Sequence, residues 1–217
     1  MNSLRLLILG ATGGTGRKLL AQALERGHHV TALVRSPDKL APRDRLKIAG
    51  GNPLDERTLR ALGAHDAVIS VVGPPGPGQS VVMRECARAC VAAMTAVGAR
   101  RLVAVSVALL FRDAGWLAAV LRRTVLRGTV EDAAAMEQII TESSLDWTIV
   151  RPPRLTNNSR SEGHDLAVDH LPSGAGSTAT LGRDALARFL IEEAERPAHV
   201  RQIVGIAAST HIAGDAR

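Results

Sequence analysis

Short aliphatic runs alternate along this chain with stretches in which apolar residues recur every three or four positions. The runs Leu6–Leu9, Val30–Val34, Leu46–Ala49, Ala67–Val72, Leu102–Val107, Trp147–Val150 and Gln202–Ile206 predict strands. Ala67–Val72 is nearly all apolar, as a strand covered on both faces requires. Helical spacing predicts helices over Gly14–Arg26, Gln79–Val97, Glu131–Ser143 and Asp184–Glu195, with Gly27 and Gly98 as stops for the first two. The alternation implies an α/β fold: a doubly wound, mainly parallel sheet with helices on both faces, in one domain over residues 1–217. Two segments break the pattern, Leu109–Gly128 and Thr156–Ala179. Both follow the carboxyl end of a strand, the edge where open α/β sheets hold ligands, so both are expected to be substrate-side inserts.

Composition narrows the partners. The formal charge is +6, yet the basic residues are mostly scattered Arg interspersed with acids. With two Phe, two Trp and no Tyr, the chain has no stacking platform for bases, and nucleic acid is not an expected partner. The positive balance instead favours an anionic cofactor or substrate, and most of the Arg residues read as solvated surface. No apolar run is long enough to span a bilayer, so no membrane association is expected. The opening MNSLRLLILG has one Arg and no cleavage-site pattern; it reads as a first strand, with the cytoplasm as the expected compartment. Cys86 and Cys90 share a helix face with Val82, Met83, Met94 and Val97 and read as buried free thiols. No His or acidic partner has spacing that would make them a metal site.

The stretch LRLLILGATGGTGRKLL carries the candidate chemistry. Gly10, Gly13 and Gly16 fall at even spacing where the first strand ends and the first helix begins. That context fits a dinucleotide pyrophosphate docked on a helix N-terminus, where free N–H groups and the helix dipole favour an anion. Gly10 permits the tight exit from the strand, Gly13 the close approach of backbone to phosphate, and Gly16 the packing of helix on sheet. Thr12 and Thr15 add hydroxyl donors, and Gly14 between them is also expected to bind the cofactor. The spacing is G-x-x-G-x-x-G, and Arg17 after Gly16 excludes a P-loop. These features define a Rossmann-type nucleotide site.

The second strand runs into VRSPDKL. NAD-binding versions place an acid here for the ribose 2′-hydroxyl. This chain places Arg35, Ser36 and Lys39, which suit a 2′-phosphate, so the expected cofactor is NADP(H). After the third strand, GGNPLD offers Asn52 and Leu54 to the adenine. After the fourth, VVGPPG offers Val72, Gly73 and Pro74, where the cofactor's middle passes close to backbone.

Taken together, GATGGTG, the Arg closing strand two, GNPLD, VVG, RLVAVSV and LDWTIVRPPRLT resemble the NAD(P)H-binding atypical short-chain dehydrogenase/reductases. The nearest group includes flavin reductase/biliverdin-IXβ reductase and the NmrA-like proteins, and the resemblance runs from Leu4 to about Ile206. It implies that Pro152 and Pro153 flank the nicotinamide and that Ser106, at the end of strand five, lies near it. It implies reduction of flavins, tetrapyrroles, quinones or ketone intermediates, with some members only sensing the nucleotide.

The wider superfamily's Tyr-x-x-x-Lys pair is excluded: there is no Tyr, and the three Lys are Lys18, Lys39 and Lys47. Ser106 is the first candidate for orienting a substrate oxygen. Arg154, where the flavin/biliverdin type has His, is the second, as an anion or carbonyl-oxygen anchor. Arg151 or Arg154 is alternatively a partner for Glu137 or Asp146. His164 and His170 in HDLAVDH are weighed as a general acid, but their alternation reads as a surface strand. Phe111, Trp116, Leu117 and Val120 are expected to wall an apolar pocket for a flat or polycyclic substrate, with a dimer or membrane-surface helix as the rival reading of this amphipathic, basic segment. The expected protein is a monomer or homodimer that reduces a small aromatic or polycyclic molecule, such as a biosynthetic intermediate, with NADPH. The alternatives are a non-catalytic NADP(H) sensor and a reused fold catalysing a non-redox isomerisation, dehydration or cyclisation.

Overall fold

A computed structural model describes residues 3–74, 76, 80–111, 124, 126–157, 163–176 and 178–209. Strand β1 (Arg5–Leu9) is followed by α1 (Gly14–Glu25), β2 (His29–Val34) and β3 (Leu46–Gly50). A short α2 (Glu56–Ala61) leads to β4 (Ala67–Ser70), α3 (Val82–Val97) and β5 (Arg101–Val105). Then come α4 (Arg127–Thr141), β6 (Asp146–Arg151), β7 (Arg154–Thr156), β8 (His164–Val168), β9 (Thr180–Gly182), α5 (Arg183–Glu195) and β10 (Gln202–Ala208).

Eight strands form one sheet in the order β3-β2-β1-β4-β5-β6-β10-β8, and β7 pairs with β9 in a separate two-stranded ribbon. All ladders of the large sheet are parallel except β8 on β10. Both faces of its central strands are therefore buried, which is why they read as aliphatic runs. One face packs Leu6, Ile8 and Ile69 under α1 and α5, through Leu19, Ala23, Leu186 and Leu190. The other packs Leu7, Leu9, Val68 and Leu102 under α2, α3 and α4, through Leu59, Met83, Cys90, Met136 and Ile140. Cys86 and Cys90 lie in that second core as free thiols.

From β1 the chain winds outward through β2 and β3, then returns to β4 on the other side of β1 and winds the opposite way. The carboxyl ends of β1 and β4 thus border the crevice where the winding reverses, the place where this topology takes ligands.

Several expected boundaries move. Strands four and five stop at Ser70 and Val105 rather than at Val72 and Val107. The helix expected from Glu131 begins at Arg127, within the first expected insert. Most of that insert, including Trp116, Leu117 and Val120, lies outside the described residues. Phe111 is buried against Ala108 and Leu171, with the Arg151 guanidinium 4.5 Å above its ring. The second insert holds β8, so the strand expected over HDLAVDH forms but stops at Val168 and leaves His170 outside it.

Candidate cofactor and substrate site

The chain leaves β1 at Gly10 with φ +89°, and a Cβ there would sit 2.9 Å from the Val71 carbonyl oxygen. Only glycine makes this turn so close to the end of β4. The Gly13 amide donates to the Gly10 carbonyl at 3.0 Å and closes the turn. A Cβ on Gly16 would fall 2.0 Å from the Gly10 oxygen and 2.8 Å from the Ala11 Cα, so this glycine lets α1 pack on the strand exit. A Cβ on Gly13 would meet nothing closer than 3.4 Å. Gly13 is exposed and leaves backbone open to an approaching ligand. It is also the N-cap of α1, with no side-chain cap and no acidic residue in the first turn.

The contrast with α3 is instructive. Asp132, fully buried on α4, accepts the Met83 amide at 3.0 Å and the Arg84 amide at 3.1 Å. The protein's own carboxylate fills the N-terminus of α3, whereas no side chain caps that of α1.

A cleft of about 380 Å³ opens beside Gly10 and Gly13. It gathers Thr12, Arg35, Asn52, Leu54, Val72 and Gly73 with those two glycines. Leu33 and Pro53 give its floor an apolar surface suited to a base. The Asn52 side chain accepts the Leu54 amide at 3.1 Å and so fixes the loop after β3. Arg35 follows β2 directly and is exposed; Ser36 caps the adjoining single turn of 3-10 helix, and Lys39 is its last residue. Gly14, Thr15 and Gly16 continue into α1, and Pro74 follows Gly73. These residues fit a dinucleotide: a wedge of backbone at a helix N-terminus, an apolar slot, and a cation at the end of β2.

Pro152 and Pro153 connect β6 to β7, and the Pro152 carbonyl accepts the Ala108 amide at 3.0 Å. Neither lines the cleft beside Gly10. The placement of Ser106 departs from the expected role. Ser106 is 4% exposed, and its hydroxyl donates inward to Glu137 Oε1 at 2.5 Å. Its one proton is committed to a carboxylate, which removes it from donating to a substrate oxygen in this arrangement. Arg151 donates to both Glu137 oxygens, through Nε at 2.9 Å and a terminal nitrogen at 2.5 Å. Of the pairings weighed for Arg151 and Arg154, the one formed is Arg151 with Glu137. Arg154 is exposed on β7, whose backbone pairs it with Thr180.

The sequence marks Glu137 only as a partner for an arginine. Its signal was a carboxylate on the same helical face as Ala133 and Ile140, where an unpaired acid would be costly. Arg183 was missed altogether. It begins α5 and lays its side chain over Gly14: a Cβ there would lie 2.8 Å from the Arg183 Nε.

Other polar clusters stand apart from the cleft. Arg101, at the amino end of β5, meets Glu193 and Thr148 in a buried network that also holds His199. Burial holds the Arg101 guanidinium below its ordinary value. His164 sits edge-on to Phe189 at 5.5 Å, and His170 Nδ1 lies 2.7 Å from the Leu171 carbonyl. Neither histidine lines the cofactor cleft. Among the described residues, no group of three or more His, Cys, Asp and Glu is placed to hold a metal. No helix among them is long and apolar enough to cross a membrane.

The sequence profile of the NAD(P)H-binding family matches residues 10–197. The chain belongs to this family of NAD(P)H-binding proteins. It is 25% identical to YwnB of Bacillus subtilis (strain 168) over 206 residues, covering 88% of this chain and 92% of that one. It is 31% identical to a 3-diazoavenalumate denitrifying reductase from Streptomyces sp, covering 83% of this chain and 69% of that protein. In fold it matches a short-chain dehydrogenase/reductase (wide type) from Veillonella parvula DSM 2008 in complex with NADP, with a TM-score of 0.78, 21% identity and full coverage of both chains.

Proposed function

We propose that this protein is an NADPH-dependent reductase of a small aromatic or polycyclic substrate, working without a Tyr–Lys pair. The observation that carries the cofactor choice is Arg35: an exposed guanidinium directly after β2, on the wall of the cleft, where a 2′-phosphate would be bound and a ribose acid is missing. The residues proposed to hold the cofactor run from Gly10, Thr12, Gly13, Gly14, Thr15 and Gly16 at the pyrophosphate to Arg35, Ser36 and Lys39 at the 2′-phosphate. Asn52 and Leu54 would border the adenine, and Val72, Gly73 and Pro74 the middle of the molecule. Pro152 and Pro153 would flank the nicotinamide.

When bound, NADPH supplies a hydride from its nicotinamide ring. The chain's own contribution is binding and orientation. Glu137 and Arg151 brace the ends of β5 and β6, with Ser106 as a positioning residue bonded to the pair. Arg154, exposed immediately after the two prolines, is the group available to anchor a carbonyl or anionic oxygen of the substrate. With no Tyr in the chain, the accompanying proton would come from water. The similarity to a protein named as a reductase supports this class of reaction over the non-redox alternatives.

A second reading, a nucleotide sensor without turnover, is favoured by the inward commitment of the Ser106 hydroxyl. The test is NADPH consumption by purified protein against a panel of quinones, flavins and aromatic ketones. Acceptor-dependent oxidation that falls at least about tenfold in Arg154→Ala, with nucleotide affinity unchanged, supports the reductase. Tight NADPH binding with no oxidation by any acceptor supports the sensor.

A further inference from the structure

The first turn of α1 carries a cation where helix electrostatics favours an anion. Arg183 reaches from the first residue of α5 across Gly14, the first residue of α1. Its Nε, Cδ and Cζ would lie 2.8, 3.1 and 3.5 Å from a Cβ at position 14, so the bare glycine lets the guanidinium lie close over the backbone of the first turn. A terminal nitrogen donates to Asn157 Oδ1 at 2.8 Å, which holds the guanidinium in place. The neighbouring acid, Asp184, pairs with Lys18 at 3.2 Å. Arg17, also in the first turns of α1, donates to the Thr12 carbonyl at 3.1 Å.

A guanidinium set against the positive end of a helix is unfavourable by itself. It becomes favourable when an anion sits between the cation and the free N–H groups. We propose that Arg183 is a ligand of the cofactor's pyrophosphate, reaching it over Gly14, and that Asn157 is the positioning residue that sets its approach. The inference deepens the cofactor reading above, and it rests on the dinucleotide lying at the α1 N-terminus. It gives Gly14 a purpose distinct from those of its three neighbours. It also links the nucleotide to the segment after β7, because Asn157 follows directly from Arg154–Thr156.

The test is calorimetric titration of wild type, Arg183→Gln, Arg183→Lys and Arg35→Ala with NADPH, NADH and adenosine 2′-phosphate. The pyrophosphate is common to the first two ligands and absent from the third. Arg183→Gln is expected to weaken NADPH and NADH by the same factor, on the order of tenfold, and to leave adenosine 2′-phosphate unchanged. Arg183→Lys is expected to recover part of that loss, since the charge returns without the planar fork. Arg35→Ala is expected to weaken NADPH and adenosine 2′-phosphate but not NADH. Binding of both dinucleotides to Arg183→Gln as to wild type would overturn the inference while leaving the cofactor reading intact. So would an equal loss for adenosine 2′-phosphate, which would indicate general damage. Failure of wild type to bind either dinucleotide would overturn both.

Discussion

The Glu137 carboxylate meets the Arg151 guanidinium at two points, Nε on Oε1 at 2.9 Å and a terminal nitrogen on Oε2 at 2.5 Å. Their side chains are 8% and 13% exposed, so solvent screens the pair little. Removing one partner leaves the other charge stranded at the carboxyl ends of β5 and β6. Glu137→Ala is expected to cost about 3–5 kcal/mol, and Ser106→Ala roughly 1–3 kcal/mol, both read as shifts in the urea unfolding midpoint. Equal and small effects of the two substitutions would show that the network does not brace the site.

The glycines of the site separate packing from ligand approach. Gly16→Ala would drive a methyl to 2.0 Å from the Gly10 carbonyl oxygen, a clash with backbone that cannot rotate away. It is expected to lower the melting temperature and to abolish nucleotide binding together. A Cβ on Gly73 meets nothing within 4 Å. Gly73→Ala is therefore expected to leave the melting temperature unchanged, and any effect appears in nucleotide affinity alone.

Stability should fall in mild acid for an identifiable reason. Desolvation lowers the His65 and His164 pKa values below the ordinary 6.5. His65 Nδ1 lies 3.1 Å from the Gly63 carbonyl, so it is the donor, and Nε2 accepts from the Thr31 hydroxyl at 3.0 Å. The unfolded chain binds these protons more readily, so the stability from neutral burial is present above about pH 6.5 and is lost as pH falls below it. Asp66, held low chiefly by the Arg5 amide, adds a second loss only near and below its ordinary 3.8. The melting temperature is expected to drop from pH 7 to pH 5, and less steeply in His65→Gln. A profile that is flat over that range, or unaffected by the substitution, would contradict this assignment.

Burial pushes the Cys86 thiol up to about 12, against a smaller opposing effect of its hydrogen bond with Ser70, and raises Cys90 as well. Both thiols are expected to resist iodoacetamide in the native protein at pH 8 and to react on unfolding. Rapid native labelling would place them outside the core.

Much of this fold was legible because the central strands of its sheet are buried on both faces, so aliphatic runs mark them. The glycine-rich turn was legible for a related reason: Gly10 and Gly16 answer backbone clashes that leave no alternative residue. Helix α2 was not, being six residues long and announced mainly by its Asp55 cap on the Arg57 amide. Strands β7 and β9, three residues each, are too short to show any period. The Ser106 orientation was illegible because it depends on where a helix thirty residues later sets Glu137. Arg183 was hidden in the same way: one more arginine in an arginine-rich chain until α5 brings it over Gly14.

The most direct test of the cofactor assignment is the ratio of NADPH to NADH dissociation constants, measured side by side for wild type and Arg35→Ala. A wild-type preference for NADPH of at least about tenfold, or roughly 1.4 kcal/mol, that disappears in the variant is the predicted result. Equal affinities in wild type, or a preference that survives loss of Arg35, would contradict it.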